Sequence, residues 1–358
     1  MSAETTSVRA TASGVMPGTD SLSSARRLEE ELAGHLPPLV ELPARGHHGS
    51  LRGRAVAMLA ELHAELTSYG WRLTSGPAAD HTRAQQLLRA DVDTLADVRG
   101  ARAEQDSPGA SGEVLLHVLG PISLAAQLAL ANGEKVLADH GARRDLADSL
   151  AACAQRHLEH VRRSCAPTSM RVVVLEPDLP RVRAGTVPTI SGYQTLRALA
   201  RDESRNLLGR FTQALQSAGA DEVILDLDAA PQAEHVEDFR SPSAPYVHGF
   251  GLPLPQLDSQ DWERAAELVE QGTRFHAALL PRVPASARQL PEVSALTAWI
   301  TEPWRRLGMP LASLSAMTLT PVTTSSRERL AQVSEADALR LISRVRGTAE
   351  ALSDQMQG

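Results

Sequence analysis

The sequence predicts an α/β protein that forms one (β/α)8 barrel of the TIM type over residues 1–358. Short apolar, β-branched segments alternate with longer helical patterns, and no linker separates them. Several segments are almost continuously apolar, such as VVVL at 172–175, which is typical of parallel strands buried on both faces. The eight predicted strands are residues 11–15, 39–42, 113–119, 171–176, 222–228, 246–252, 274–280 and 316–320. A doubly wound open sheet is the main alternative.

Helical patterns occupy the intervening segments. Residues 50–66 place leucines on one stripe, and residues after Asp258 place Trp262 and Ala266 on another before Gly272 ends the pattern. A last helix is predicted to begin at Ser334 with a capping-box-like sequence and to bury Ile342 and Val345. Residues 1–10 are polar enough to predict a flexible N-terminal tail.

Composition excludes several classes of protein. Aromatic residues make up 3% of the chain, so its core must be aliphatic. The net charge is −7 and no basic stripe is present, which argues against a nucleic-acid partner. No apolar run reaches the length of a membrane span, and the N-terminus lacks the apolar segment of a secretory signal. A cytoplasmic protein without a membrane partner is therefore expected, whereas the sequence indicates no oligomeric state.

Common catalytic motifs are missing, including GxGxxG, Walker-type loops, HExxH and CxxC. Lys135 is the single lysine and lies in a turn, which argues against Schiff-base chemistry. Cys153, His157 and His160 share one helix face at the spacing i, i+4, i+7 and could hold a soft cation. An ordinary helix face is the favoured interpretation, and we expect no metal site.

Candidate ligand-binding residues follow from the barrel, because chemistry in this fold is carried by the carboxyl ends of the strands. We expect a small-molecule ligand in the barrel mouth. Glu176, Asp228 and Arg45 are predicted to converge on one pocket there. The full set of substrate-binding candidates comprises Gly14, Arg45, Gly120, Pro121, Glu176, Asp226, Asp228 and His248. No catalytic role is assigned to any of them.

Several segments resemble a short actinobacterial family related to the C-terminal barrel of cobalamin-independent methionine synthase. They occur in order over nearly the whole chain, which makes the resemblance more specific than any one motif. The matching segments are SGVMPGTD (13–20), LPARG (42–46), GWRL (70–73), VLGPISLA (118–125), LADHGARRDLADSL (137–150), LEPDLPRVRAGTVPTISGY (175–193) and WRRLG (304–308).

This resemblance implies a methionine synthase/uroporphyrinogen decarboxylase-like barrel. It further implies methyl transfer from methyl-tetrahydrofolate to the thiol of homocysteine, a step of methionine biosynthesis. In the family, zinc held by His, Glu and two Cys binds that thiol and lowers its pKa, so that a thiolate attacks the methyl group.

The sequence departs from the family where zinc would bind. The family's His-Cys pair after the fifth strand corresponds to Leu227 and Asp228, and its cysteine after the eighth strand corresponds to Thr323. The family's glutamate ligand is replaced around residues 249–250. Two further family residues, a serine and an aspartate that would hold the homocysteine amine, align with Val15 and Leu175, whereas Glu176 is retained. Both cysteines of the chain lie between the third and fourth strands, so a zinc site of the family's kind is not expected.

Three functions therefore remain open. The chain could be a methyltransferase of the methionine synthase type, a non-catalytic barrel that binds a ligand or partner, or a metal-free barrel enzyme of different chemistry. The last would use Glu176, Asp226, Asp228 and His248 as acid–base groups. The fold alone does not decide among them.

Overall fold

The computed structural model describes residues 7–104, 112–284 and 289–357. Its main sheet has seven strands, and every neighbouring pair in it runs parallel. Strands β2 (His63–Thr67) and β3 (Gly70–Thr74) form a separate hairpin. The strands of the main sheet are, in chain order, β1 (Arg9–Ala10), β4 (Glu113–Leu119), β5 (Ser169–Leu175), β6 (Glu222–Asp226), β7 (Gly249–Pro253), β8 (Arg274–Leu280) and β9 (Met317–Val322). β1 pairs with β9, so the sheet curls until its first and last members in sequence are neighbours.

Residues 36–41 close the ring between β1 and β4. This segment makes parallel bridges to the first strand region at Thr11↔Leu36 and Val15↔Glu41, and to β4 at Pro38↔Leu115. Pro37 and Pro38 lack amide hydrogens, which limits the segment to isolated bridges and prevents a continuous ladder. The parallel α/β barrel predicted from the sequence is therefore confirmed, and an open doubly wound sheet is excluded.

Six of the eight predicted strands form with small shifts in their ends, whereas the strand predicted at residues 39–42 is replaced by isolated bridges within residues 36–41. β4 and β8 match the predicted residues, and β5 lies between β4 and β6 with residues 172–175 buried. β1 is shorter and begins earlier than predicted, because Arg9 and Ala10 pair with Thr318 and Leu319. Val8 and Ala10 are buried, so the predicted tail is wrong for residues 8–10, whereas residues 1–6 lie outside the described part of the chain.

Helices cover the outside of the ring. They are α1 (Ser21–Glu31), α2 (Leu51–Ala57), α3 (Ala79–Glu104), α4 (Pro121–Gln127), α5 (His140–Cys165), α6 (Leu179–Arg183), α7 (Arg201–Ser217), α8 (Ala233–Phe239), α9 (Ser259–Glu270), α10 (Val293–Arg306) and α11 (Glu335–Gln357). α9 and α11 bury the residues predicted for them, including Trp262 and Ile342. In the described segments, no helix combines the length and apolar character that crossing a membrane requires.

One helix prediction is wrong beyond its first two turns. The helix expected over residues 50–66 ends at Ala57, and an antiparallel hairpin follows, with strands β2 (His63–Thr67) and β3 (Gly70–Thr74). The leucine spacing in this segment fits a helix, but Thr67, Tyr69 and Trp71 favour a strand. Gly70 takes φ +119° in the tight turn, a conformation that is open to glycine.

Candidate functional site

A buried ion pair occupies the carboxyl-end mouth of the barrel. Arg327 follows β9 in a segment of 3-10 helix (Thr324–Gln332), and its Nη1 donates to Oε2 of Glu41 at 3.1 Å. Its Nη2 donates to the carbonyl oxygen of Ser13 at 2.5 Å. A Cβ placed on Gly14 would lie 3.4 Å from Nδ1 of His117 and 3.8 Å from Nη2 of Arg327. Gly14, Glu41, His117 and Arg327 therefore form one cluster.

Three polar atoms of this cluster are buried without a hydrogen-bond partner among the described residues: Ser13 Oγ, Glu41 Oε1 and His117 Nδ1. Glu41 is 1% exposed, so water reaches its free oxygen poorly. Most buried polar atoms in native proteins are hydrogen-bonded to protein or to ordered water, so these three atoms are open to a water molecule or to a bound ligand. Unsatisfied polar groups are therefore found close together on three neighbouring parts of the ring: the residues after β1, residues 36–41, and β4.

A pair of carboxylates follows β6. Oδ1 of Asp226 accepts a hydrogen bond from the amide of Asp228 at 2.8 Å, and Oδ2 accepts one from the hydroxyl of Thr324 at 2.8 Å. Burial raises the pKa of Asp226 to about 6, although these two hydrogen bonds and the charge of Arg327 lower it. Asp228 has φ +56°, and its Oδ1 accepts from the amide of Ser325 at 3.1 Å. Asp226 can therefore gain or lose a proton close to neutral pH.

Two histidines line the inside of the barrel next to these groups. His117 of β4 and His276 of β8 meet edge to face, with ring centroids 5.8 Å apart. Burial lowers the pKa of His276 to about 3 and lowers that of His117 well below its ordinary value, and the charge of Arg327 adds to both effects. Both rings are thus neutral at pH 7 and can donate or accept hydrogen bonds.

Glu176 is fully buried and binds the N-terminus of α4. Its two carboxylate oxygens accept hydrogen bonds from the amides of Ile122 at 2.9 Å and Ser123 at 2.7 Å. Burial raises the pKa of Glu176 to about 7, against the opposing effect of hydrogen bonds from Ser123 and Ile122. A Cβ on Gly120 would overlap Oε1 of Glu176, and Pro121 is the first residue of α4. Gly120, Pro121 and Glu176 therefore form one structural unit that fixes this helix end.

Arg45 and His248 lie apart from the cluster. Arg45 pairs with Asp91 of α3 at 2.7 Å and donates to the carbonyl oxygen of Thr19. His248 precedes the first residue of β7, and its Nδ1 accepts from the amide of Val223 near the start of β6. It therefore lies at the amino end of the strands, opposite to Asp226. Arg45, Glu176 and Asp228, the predicted trio, each have partners of their own: Asp91, the amides of α4, and the amide of Ser325.

Four residues of the mouth were missed by the sequence analysis: Glu41, His117, His276 and Arg327. Glu41 lies at the end of a predicted strand and could have been included on that basis. His117 and His276 are polar residues inside apolar strands, which is a usable signal for side chains that face a barrel interior. Arg327 is one of many arginines in the chain, and nothing in the sequence distinguishes it.

The residues at the family's zinc positions do not fit zinc. Leu227 is buried in the core and has no donor atom, and the hydroxyl of Thr323 donates to the carbonyl oxygen of Pro281 at 3.1 Å. Cys153 and Cys165 both lie on α5, outside the barrel. Within residues 7–104, 112–284 and 289–357, no three His, Cys, Asp or Glu side chains are grouped so that they could share a metal ion.

No protein-family model and no curated protein sequence matches this chain. Among solved structures, it is similar to a B12-independent methionine synthase from Shewanella sp. W3-18-1 in complex with selenomethionine, with a TM-score of 0.59 and 9% identity over 98% of this chain and 99% of that one. A methyltransferase from Methanosarcina mazei is similar with a TM-score of 0.51 and 11% identity, over 98% of this chain and 95% of that one. At such identities the likeness concerns the fold, and this chain shares the barrel fold of these two enzymes.

Proposed function

We propose that the mouth of this barrel binds a small polar molecule that supplies hydrogen-bond donors, such as the ammonium group of an amino acid, and that it does so without zinc. The observation that carries the proposal is the set of unpartnered buried atoms on Ser13, Glu41 and His117. Glu41 Oε1 can only accept hydrogen bonds while the carboxylate is charged, so the complementary ligand group is a donor.

Charge in the mouth favours the same kind of ligand. Asp226, Asp228 and Glu41 are acidic, whereas Arg327 is the cation that pairs with Glu41. A buried carboxylate binds an ammonium group more strongly than it binds a neutral donor, by charge-assisted hydrogen bonds. An α-amino acid supplies such an ammonium group.

Methyl transfer to homocysteine in the family's manner is not part of this proposal, because the thiolate needs a metal that these residues do not fit. The fold shared with a methionine synthase and a methyltransferase supports a small-molecule site at the same end of the barrel. A second candidate function is metal-free acid–base catalysis by Asp226, which its pKa of about 6 favours.

Titration calorimetry with EDTA present tests the proposal, with methionine, homocysteine and methyl-tetrahydrofolate as separate ligands. We expect one amino acid to bind at a single site, and we expect Glu41→Gln to weaken that binding about tenfold, as the loss of one charge-assisted hydrogen bond predicts. Ser13→Ala is expected to weaken it by a smaller factor.

Matched controls are available on α11. Asp354 is exposed, and Ser343 lies on the outside of the barrel, so Asp354→Asn and Ser343→Ala should leave the affinity unchanged. The proposal is wrong if none of the three ligands binds, or if binding disappears in EDTA and returns with zinc. Equal losses in the mouth variants and in the controls would also contradict it.

A further inference from the structure

A second cleft lies outside the barrel, between α3, α5 and the segment that leads from α2 into the hairpin. Its volume is about 570 Å³, which is enough for a small metabolite. Its walls include His81 and Arg89 of α3, and Cys153, Arg156 and His157 of α5. The residues that the sequence singled out on one face of α5 therefore line this cleft together.

The floor of the cleft contains a buried donor without an acceptor. His81 is 3% exposed, and its Nε2 lies 3.2 Å from Nε2 of Gln85. The Gln85 amide nitrogen is a donor, so Nε2 of His81 accepts, and the proton of the neutral ring is on Nδ1. Nδ1 has no hydrogen-bond partner among the described residues. This N–H group is thus available to an acceptor atom of a ligand.

Two arginines face the same space from opposite walls. Arg89 and Arg156 line the cleft, are exposed, and make no hydrogen bond or ion pair within the part of the chain that the structure describes. Burial raises the pKa of the Cys153 thiol, and the charges of Arg156 and Arg89 lower it, so both guanidiniums act on a group inside the cleft. Free guanidiniums with fixed donor geometry are suited to carboxylate and phosphate groups.

The lining also contains two carboxylates. Glu61 and Glu159 line the cleft and are exposed, as Arg89 and Arg156 are. The charged neighbours that shift the pKa of His157 are Arg54 and His160, and burial is the main cause of its fall to about 3. With Arg163, the lining contains three arginines against two carboxylates, so cations are in excess there.

We propose that this cleft between α3 and α5 is a binding site for a small anionic metabolite, whose carboxylate or phosphate group lies between Arg89 and Arg156 and accepts a hydrogen bond from Nδ1 of His81. The site is separate from the barrel mouth and is independent of the function proposed for it. The arginines of the lining favour an anion over a metal ion, and no three His, Cys, Asp or Glu side chains of the described residues are grouped for coordination.

Cys153 provides a reporter inside the cleft. In a Cys165→Ser background it is the one remaining thiol, and a neutral reagent such as iodoacetamide does not itself compete as an anion. Inorganic phosphate, adenosine monophosphate, succinate and citrate are tested at constant ionic strength, so that general screening is held fixed. We expect at least one anion to slow the alkylation of Cys153 until a limiting rate is reached. Whether the phosphate compounds or the carboxylates protect more strongly then identifies the anionic group that the cleft prefers.

Arg89→Gln combined with Arg156→Gln is expected to weaken that protection at least tenfold. Arg26→Gln is the matched control, because Arg26 is exposed on α1 and remote from the cleft. Calorimetry with the same anions provides a second measurement should Cys153 react too slowly to follow. The proposal is overturned if no anion binds at millimolar concentrations by either method, or if Arg26→Gln weakens binding as much as the double variant.

Discussion

Arg327 and Glu41 form a buried ion pair with Nη1 and Oε2 3.1 Å apart, although 286 residues separate them in the chain. Their side chains are 3% and 1% exposed. The pair joins the segment after β9 to the segment that closes the ring between β1 and β4. Residues 36–41 make isolated bridges to their neighbours, so this ion pair adds a fixed contact where the backbone ladder is weakest.

Arg327→Met is therefore expected to destabilise the fold by about 3–5 kcal/mol, because it leaves the carboxylate of Glu41 buried without a cation. The double variant Glu41→Gln/Arg327→Met should lose less than the single one, since no charge stays buried. Chemical denaturation measures both values. Arg329→Met is the control, as Arg329 is exposed on the same segment. A single variant as stable as this control would show that the pair contributes nothing.

Gly120→Ala tests the close contact between the start of α4 and Glu176. The new Cβ would overlap the carboxylate, which must then move away from the amides of Ile122 and Ser123. We expect a loss of about 1–3 kcal/mol in the free energy of unfolding, as for other overpacked core sites. Gly100→Ala in the exposed part of α3 meets no atom within 4 Å and should stabilise by up to about 1 kcal/mol. A change in the free energy of unfolding with the same sign in both variants would contradict this account.

The pH dependence of stability should report on Glu176. Its pKa is raised to about 7 in the folded protein, against an ordinary value of 4.5, so the folded state holds a proton that the unfolded state releases between these values. Raising the pH from 4.5 to 7 therefore costs about 3 kcal/mol of stability through this group. Below and above this window Glu176 has the same charge in both states, and the cost no longer changes.

Glu176→Gln removes this contribution. The free energy of unfolding of the variant relative to the wild type should rise by about 3 kcal/mol between pH 4.5 and pH 7. His157 and His276, whose pKa values are lowered to about 3, make both proteins less stable in acid and cancel in the difference. Denaturation curves at several pH values measure this difference in the free energy of unfolding. For the control Asp354→Asn, the difference from the wild type should not change with pH. A flat difference for Glu176→Gln as well would refute the assignment.

The sequence predicts the barrel well because burial on both faces leaves a direct signal. Residues 172–175 are apolar without interruption, and they are buried in β5 between β4 and β6. The signal fails where two physical causes conflict. Residues 58–66 have helical leucine spacing, but residues 63–66 belong to the hairpin, which pairs Leu66 with Trp71, and that pairing decides the conformation.

The candidate site is less predictable from the sequence. A residue at the end of a strand can be located on the barrel, but the sequence does not show what its side chain contacts. Asp226 ends β6 and its carboxylate accepts from the amide of Asp228, whereas Glu176 at a similar position turns to the amides of α4. His248 was assigned to a strand interior and precedes that strand, because the predicted strand began three residues too early. The partner that completes the mouth, Arg327, comes from a segment whose path depends on the assembled barrel.

Zinc content provides the last prediction. Leu227 has no donor, Thr323 is engaged with Pro281, and both thiols are on the outer helix α5, so the mouth lacks the sulfur ligands that give such sites their affinity. Protein purified without a metal-affinity tag should contain far less than one zinc per chain by elemental analysis. It should form no methionine from homocysteine and methyl-tetrahydrofolate, with or without added zinc. Asp228→Cys combined with Thr323→Cys adds two thiolates at the family's positions, and we expect this variant to bind zinc more tightly than the wild type. Stoichiometric zinc in the wild type that Asp228→Asn removes, together with metal-dependent turnover, would show that oxygen and nitrogen ligands suffice here.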